Sequence, residues 1–424
     1  MPLGERLRGF RHTAGLTMEQ LSDSSGVSVR AISDMERGHI RAPQPRTLAA
    51  LSTALGLTDD ERERLEEDAR ALRLHTAGAR PRSFEPPRAV TDFVGRDAEF
   101  RRVTTGCDPI VVVHGQPGVG KTAFALRLAE ALRDRFPDGC LYLDLRGLDP
   151  EPPSAGEVAT HLLKAFDVHP RRIGDTGEQR CGQLRALLRD RRCLLVLDNA
   201  ADETQVRPLL PGGGAGRTVV TSRRALAGLE SVLRVPLKPL EPAESAELLS
   251  SIAGRDDDMT AVARLCGHLP LALRIAGTRL ANRPAWTAGH LASLLADEDR
   301  RLATLHIGDT GVAAAYALSH AQLSGEGRAL FRRLAHLPDD DFGAPIAAEL
   351  IAADPHDAGD RLDELVELGL LEHSGADRYR LAGLLRIYAA ERLRAEEPAA
   401  KRAATRLRIE KFCRSSCLVP VPAR

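Results

Sequence analysis

The stretch Pro109–Thr122, PIVVVHGQPGVGKT, constrains this 424-residue chain more than any other. An apolar run, Ile110 to Val113, breaks into a glycine-rich loop, then into a helical pattern carrying Phe124, Leu126, Leu128 and Leu132. The loop fits G-x-x-x-x-G-K-[ST] as Gly115, Gly120, Lys121 and Thr122. Glycines let the backbone wrap so that successive N–H groups converge on phosphate oxygens. A helix starting at about Thr122 adds the positive end of its dipole. The cradle falls on Gly115, Gln116, Pro117, Gly118, Val119 and Gly120, continuing through Lys121, Thr122 and Ala123. In this arrangement Lys121 reaches the β- and γ-phosphates and the Thr122 hydroxyl ligates Mg²⁺. The competing reading is a glycine turn that matches by accident; the strand before and the helix after argue against it.

Length allows two to four domains. The balance of 59 basic against 59 acidic residues gives no global field, so any nucleic-acid surface must be local. No apolar run approaches the roughly 18 residues of a membrane span, and MPLGERLRGFRHTAG holds no apolar leader core. The seven cysteines are odd in number and scattered, which suits reduced thiols in a cytoplasmic protein. Cys413 and Cys417 form a lone C-x-x-x-C, a weak zinc signal. Basic residues are nearly all arginine and alanine is abundant, in keeping with GC-rich bacterial coding.

Residues 1–73 read as an all-α domain of five short helices: Leu3–Thr13, MEQLSDSS from Met18, VRAISDMERG from Val29, Gln44–Leu55 and Thr58–Leu72. Thr17 with Gln20 forms a capping box, Gly26 stops the second helix and Ser28 caps the third. Helix, glycine turn, helix is the helix-turn-helix unit. Ile32 and Met35 fall inward. Gln20, Ser28, Val29, Arg30, Ser33, Asp34 and Arg37 are the candidate DNA contacts. Arg30 suits a guanine edge and Ser33 a base or phosphate, with Arg37, Arg41 and Arg46 at the phosphate flanks. A helical bundle with no DNA role is the alternative, since the domain is not strongly basic. Its acid, however, is concentrated in the fifth helix. LTMEQLSDSSGVSVRAISDMERG resembles the Xre and phage-repressor helix-turn-helix family in its leucine, glycine and E-R-G positions. That resemblance implies double-stranded DNA as a partner. Asp34 stands where the family often has arginine or lysine. Residues 74–92, with three prolines, read as a linker.

Residues 93–235 alternate apolar runs with helical patterns. The strands expected after the first are Cys140–Leu145, Arg192–Asp198, Arg217–Arg223 and Val232–Leu237. Continuous apolar runs of this kind mean an α/β domain with a parallel sheet covered on both faces. Asp198, at its strand's end, is the expected acid on the Mg²⁺ side, acting through the metal's water shell. Asn199 follows it where many ATPases place a second acid. An amide can hydrogen-bond water but cannot take its proton, so slow hydrolysis is expected. Arg223 would set a guanidinium beside the γ-phosphate. Lys121, Asp198 and Arg223 are thus the candidate catalytic residues.

The order FVGRDAEF, GQPGVGKT, LLVLDNA, VVTSR, GHLPLAL resembles the NB-ARC group of STAND P-loop switch ATPases over roughly residues 93–395. The resemblance implies ATP or ADP with Mg²⁺ as cofactors. It places Val94, Gly95 and Arg96 by the adenine and ribose, and Pro270 against the base. It also implies a helical subdomain, 236–310, and a winged helix, 311–395. The helices expected there are Leu240–Ile252, Met259–Cys266, Leu269–Leu280, His290–Leu295, Leu330–Leu337, Ile346–Ala352 and Asp357–Leu368. A two-stranded hairpin, Leu370–Glu372 with Tyr379–Leu381, and a helix from Leu384 would follow. The family's ADP-sensing histidine and following aspartate are replaced by Ala382 and Gly383, neither of which can bind phosphate through a side chain. The tail, 396–424, has a basic helical stretch at Lys401–Arg408 and then reads as irregular and disordered from Phe412. It shows no repeat period, so the superhelical input arm that the resemblance implies is missing, supplied in trans or lost by truncation.

The expected function is a nucleotide-switched, DNA-binding transcriptional regulator with possible self-association and an unidentified input ligand or protein, without membrane contact. Two alternatives stay open. One is a STAND-type defence or scaffold protein whose N-terminal domain recruits protein. The other is a P-loop ATPase whose turnover is the output.

Overall fold

A computed structural model describes residues 3–37, 45–58, 60–62, 64–65 and 85–416. The chain divides into two compact units, 1–80 and 81–424.

The first unit contains helices α1 (Leu3–Thr13), α2 (Met18–Ser25), α3 (Val29–Glu36) and α4 (Pro45–Ala54). The predicted capping box is present: Thr17 accepts from the Gln20 amide and Gln20 returns the bond to the Thr17 amide. Gly26 ends α2 in the left-handed conformation, with φ 70°. Ser28 caps α3 by accepting from the Ala31 amide. Ile32 and Met35 are buried with Leu7, Leu21 and Leu51. Burying each such side chain contributes about 1.5–3 kcal/mol, which fixes the rotation of α3. A bidentate ion pair, Arg11 Nε and Nη2 to Glu36 at 2.7 and 2.9 Å, ties α1 to the end of α3. Gly4 permits that approach, since a Cβ there would lie 2.6 Å from the Met35 carbonyl oxygen. Residues 60–62 and 64–65 are helical. The rest of the predicted fifth helix, the Gly38 stop, the side chains of Arg41 and Arg46, residues 74–84 of the linker and Cys417 lie outside the described residues.

The second unit is built on a five-stranded sheet: β1 (Ile110–His114), β2 (Cys140–Asp144), β3 (Leu194–Ala200), β4 (Arg217–Ser222) and β5 (Leu233–Pro236). Their order is β2-β3-β4-β1-β5, and every pairing is parallel. This is the predicted α/β parallel sheet, covered on both faces. Val111, Val113, Val196 and Val219 face the helix Lys121–Leu132 through Phe124 and Leu128. Val112, Leu195, Leu197 and Val220 face helices Ala155–Ala165 and Gly177–Arg189. The pleat thus puts alternate residues on opposite covers.

The core on the Phe124 side continues into the helices that follow: Pro242–Ala253, Thr260–Leu265, Pro270–Ala281, Ala288–Ala296, Glu298–Thr304 and Val312–Ala321. A short hairpin, β6 (His306–Ile307) with β7 (Thr310–Gly311), precedes the last of these. Helices Gly325–Arg333, Ala344–Ile351 and Pro355–Glu367 come next. The expected two-stranded wing is in fact a three-stranded sheet, β8-β10-β9. Its strands are β8 (Asp341–Gly343), β9 (Glu372–Gly375) and β10 (Arg378–Arg380). Ser374 and Gly375, expected at the turn, lie within β9, where Gly375 pairs with Arg378.

The tail also differs from expectation. Helix Gly383–Glu396 is followed by a helix at Ala399–Ser416, so the chain from Phe412 to Ser416 is ordered. Glu397, between the two, is 5% exposed and accepts from Arg332 Nε at 2.7 Å and Arg333 Nε at 2.8 Å. Ile409 and Thr405 are buried, and Arg408 donates to the carbonyls of Glu349 and Leu350. These anchors lie about 60 residues upstream, so a local reading of composition could not see them. Among the described residues no helix is long and apolar enough to cross a membrane.

Candidate functional site

A cavity of about 420 Å³ opens at the carboxyl ends of β1, β3 and β4. Ligand crevices of open α/β sheets form at this edge. The loop after β1 enters it with Gly118 at φ 80° and Gly120 at φ 94°. Helix Lys121–Leu132 has Gly120 as its N-cap and no side-chain cap, so its first N–H groups are not claimed by a cap.

Of the predicted cradle, Pro117, Gly118, Val119, Gly120, Lys121, Thr122 and Ala123 line the cavity. Gly115 and Gln116 do not. Gly115, at φ 146°, packs so closely that a Cβ would sit 2.4 Å from the Leu237 carbonyl oxygen. Gln116 is buried beneath the loop. Lys121 Nζ donates to the carbonyls of Gly115 at 2.8 Å and Gln116 at 3.0 Å, holding the loop's start.

The Asp198 carboxylate is 5% exposed and is the hub of a hydroxyl cluster. Thr122 Oγ1 lies 3.0 Å from both of its oxygens. Tyr142 donates to Oδ2 at 2.9 Å and Thr221 to Oδ1 at 2.5 Å. Sequence reading missed Tyr142 and Thr221. Their signal was alternation: Tyr142 lies two residues before Asp144 and Thr221 two before Arg223, on the same pleat face. A bulge in β3 between Leu197 and Ala200 puts Asn199 at φ 57°, and its amide donates to Thr221 Oγ1. Asp198 and Thr122 together present hard oxygen donors of the kind Mg²⁺ takes. Among the described residues no group of three or more His, Cys, Asp or Glu makes a protein-only metal cage.

Arg223 lines the cavity, and its Nη1 donates to the Ala315 carbonyl at 3.1 Å and to Ser319 Oγ. Both acceptors belong to helix Val312–Ala321. Burial pushes the Arg223 guanidinium down to about 10. Removal of the Lys121 ammonium from water, with Arg223 nearby, brings Lys121 down to about 7 against partial opposition from Asp198.

At the opposite end, Val94 and Arg96 line the cavity. Gly95 turns away at φ 71° against the Glu244 carboxylate. Arg96 is buried, sits at φ 69°, and donates to the Val119 carbonyl at 3.3 Å. Pro270 lines the cavity at the first turn of its helix and lies 3.9 Å from where a Gly120 Cβ would be. Val90 and Asp92, within the segment read as linker, line it too. Asp92 is held by a bidentate pair with Arg274 at 2.8 and 2.9 Å, which lowers its pKa. Ala382 and Gly383 begin a helix and do not line the cavity.

In α3, Val29, Arg30 and Arg37 are exposed and Ser33 and Asp34 half-buried, while Gln20 and Ser28 are engaged in the two caps.

A helix-turn-helix unit in one compact body and a P-loop parallel sheet in the other define the class. The chain combines a helix-turn-helix domain with a P-loop domain of the AAA type. Residues 2–65 match a family described as a helix-turn-helix domain, and residues 106–205 one described as an AAA domain. The chain is homologous to the regulatory protein AfsR. It is 37% identical over 368 residues to AfsR of Streptomyces griseus, covering 81% of this chain and 38% of that one. To AfsR of Streptomyces coelicolor it is 36% identical over 337 residues, covering 75% and 34%. The chain thus spans little more than a third of these relatives. The Walker-type ATPase of Pyrococcus abyssi superposes with a TM-score of 0.52 at 13% identity, covering 72% of this chain and 98% of that structure. That likeness is one of fold.

Proposed function

We propose that this chain is a nucleotide-gated, DNA-binding transcriptional regulator of the cytoplasm. ATP or ADP with Mg²⁺ occupies the cavity, and the nucleotide state controls exposure or self-association of the chain. Lys121 and Arg223 meet the terminal phosphates, the Thr122 hydroxyl ligates Mg²⁺, and Asp198 orders the metal through its water shell. Val94, Arg96 and Pro270 enclose the base and ribose. The α3 side chains Val29, Arg30 and Ser33 read base edges.

The observation that carries this reading is the double engagement of Arg223. It lines the phosphate end of the cavity and is hydrogen-bonded to Ala315 and Ser319. A γ-phosphate that draws the guanidinium competes with those bonds, so nucleotide and helix Val312–Ala321 share one group. A ligand shifts such an equilibrium only by its differential affinity for the two states.

The test is selection of sheared genomic DNA on the purified protein, run separately with ADP and with a non-hydrolysable ATP analogue. A shared short motif, enriched in one state over the other, is the expected result. Equal enrichment in both removes the switch, and none in either removes DNA binding. Arg30→Ala should weaken binding to the selected motif by about 10-fold, since one base contact is worth about 1–3 kcal/mol. Competition binding at fixed salt measures this.

The site also predicts a pH dependence. Burial and Arg223 bring the free Lys121 ammonium down to about 7, and the negative charge of a bound phosphate should raise it again. Nucleotide affinity should therefore fall as pH rises above 7, by up to about tenfold per unit, with proton uptake on binding. The nucleotide-free fold moves the other way and gains stability from pH 7 towards lysine's ordinary 10.5. Calorimetry in two buffers of different ionisation heat reads the uptake; none at pH 8 would contradict the assignment.

A further inference from the structure

We propose that Asp144 is the carboxylate that orients and deprotonates the attacking water for nucleotide hydrolysis. The inference rests on the nucleotide reading above and names a catalytic residue within that site.

The position after Asp198, where a second acid would serve as base, is Asn199, which cannot take a proton. Asp198 itself is committed. Three hydroxyls, from Thr122, Tyr142 and Thr221, already occupy its two oxygens, and it is buried. The next carboxylate along the sheet edge is Asp144. It ends β2 directly opposite Asp198 in the parallel register. Adjacent strands run about 4.8 Å apart, so the two acids stand side by side on one pleat face. Asp144 lines the same cavity as Lys121, Asp198 and Arg223, and unlike Asp198 it is exposed.

Its contacts orient it and leave it capacity. Oδ1 accepts from the Arg146 amide at 2.8 Å and from Asn199 Nδ2 at 3.4 Å. Among the described contacts none falls on Oδ2. Asn199 is thus a positioning residue, turning its side-chain amide to Asp144. The backbone is specialised on both sides: Arg146 sits at φ 48° and Asn199 at φ 57°, unusual for residues with side chains. The turn between them is pinned. Gly147 N donates to the Asn199 carbonyl at 2.8 Å, and a Cβ on Gly147 would lie 2.3 Å from the Ala201 nitrogen. Gln322 Nε2 closes the turn from outside by donating to the Gly147 carbonyl at 2.9 Å.

With ATP as substrate, the water oxygen forms a bond to the γ-phosphorus. The bond from that phosphorus to the β–γ bridging oxygen breaks, and ADP leaves with its electron pair. The proton lost by the water passes to Asp144 and then to the released phosphate.

The test is Asp144→Asn, which keeps size and hydrogen-bonding reach while removing charge and basicity. Phosphate release should fall by about 100-fold, the lower range for a general base. Equilibrium titration gives a second, non-catalytic readout. Affinity for a non-hydrolysable ATP analogue should rise several-fold, because a negative charge beside the terminal phosphate is gone, while ADP affinity stays within about twofold. Unchanged ADP affinity also shows that the variant folds. Phosphate release at the wild-type rate overturns the proposal, as does a wild-type protein that binds ATP without turnover. A wild-type protein that binds neither nucleotide instead overturns the nucleotide reading itself.

Discussion

Lys121→Ala should weaken ATP and ADP binding by at least about 100-fold, close to 2.7 kcal/mol, while the nucleotide-free protein melts within a few degrees of wild type. The argument has two sides. Lys121 is the loop's cation, and a charge-assisted contact to phosphate is worth more than a neutral one. Its ammonium is already partly desolvated, with its pKa down at about 7, so little reorganisation precedes binding. The same desolvation is a cost to the empty fold. Removing the lysine relieves that cost while losing the bonds to the Gly115 and Gln116 carbonyls, and the two changes oppose each other. Lys121→Arg should not rescue, because a planar fork cannot occupy the place of a compact ammonium between two carbonyls. Equilibrium titration with a fluorescent nucleotide and a thermal melt measure both sides. Retention of ATP by Lys121→Ala at wild-type affinity would remove the cavity as the nucleotide site.

Gly115→Ala should be strongly destabilising, costing about 3–5 kcal/mol. Its φ of 146° lies in a region closed to side chains, and the new Cβ would meet the Leu237 carbonyl oxygen at 2.4 Å and Val119 Cγ1 at 3.4 Å. Neither the backbone of Leu237 nor the loop can yield freely. Leu237 N bonds to the His114 carbonyl at 2.8 Å, fastening the end of β5 to the end of β1. Gly254→Ala is the matched control. Its φ of 66° strains an alanine, but nothing lies within 4 Å of the added methyl, so about 1 kcal/mol is expected. Denaturant unfolding of the two variants separates close approach from conformational strain; equal losses would show that the Leu237 contact carries no weight.

What could be read from the sequence follows from the range of the interactions involved. The loop at Gly115–Thr122 was legible because its geometry is dictated by neighbouring residues: an apolar strand, glycines, then a helix. Ser28 and Thr17 announced their helices for the same reason. Asp198 was legible as a polar residue ending an apolar run. Tyr142 and Thr221 reach Asp198 from other strands, across separations of 56 and 23 residues, and only the sheet order brings them there. Arg274 meets Asp92 across 182 residues, which is how part of an apparent linker became cavity wall. Helix Val312–Ala321 escaped notice because its core face holds Ser319 and His320 beside Val312 and Tyr316, and its other positions are mostly alanine. Strand β8 is three residues long, too short for alternation to declare itself.

The tie between Arg223 and Ser319 spans 96 residues, and synthesis sets the order in which its ends exist. All five strands of the sheet, with the loop and Arg223, leave the ribosome before helix Val312–Ala321 has been made. At about 5–20 residues per second, the restraining helix trails the arginine by about 5–20 s. During that interval Arg223 is not yet engaged by the helix. A nucleotide bound then, as proposed above, would meet a site whose restraint has still to be translated. On the proposed reading, Ala315 and Ser319 would emerge as competitors for a group that a phosphate could already hold, and the starting state of each molecule would be written during its synthesis.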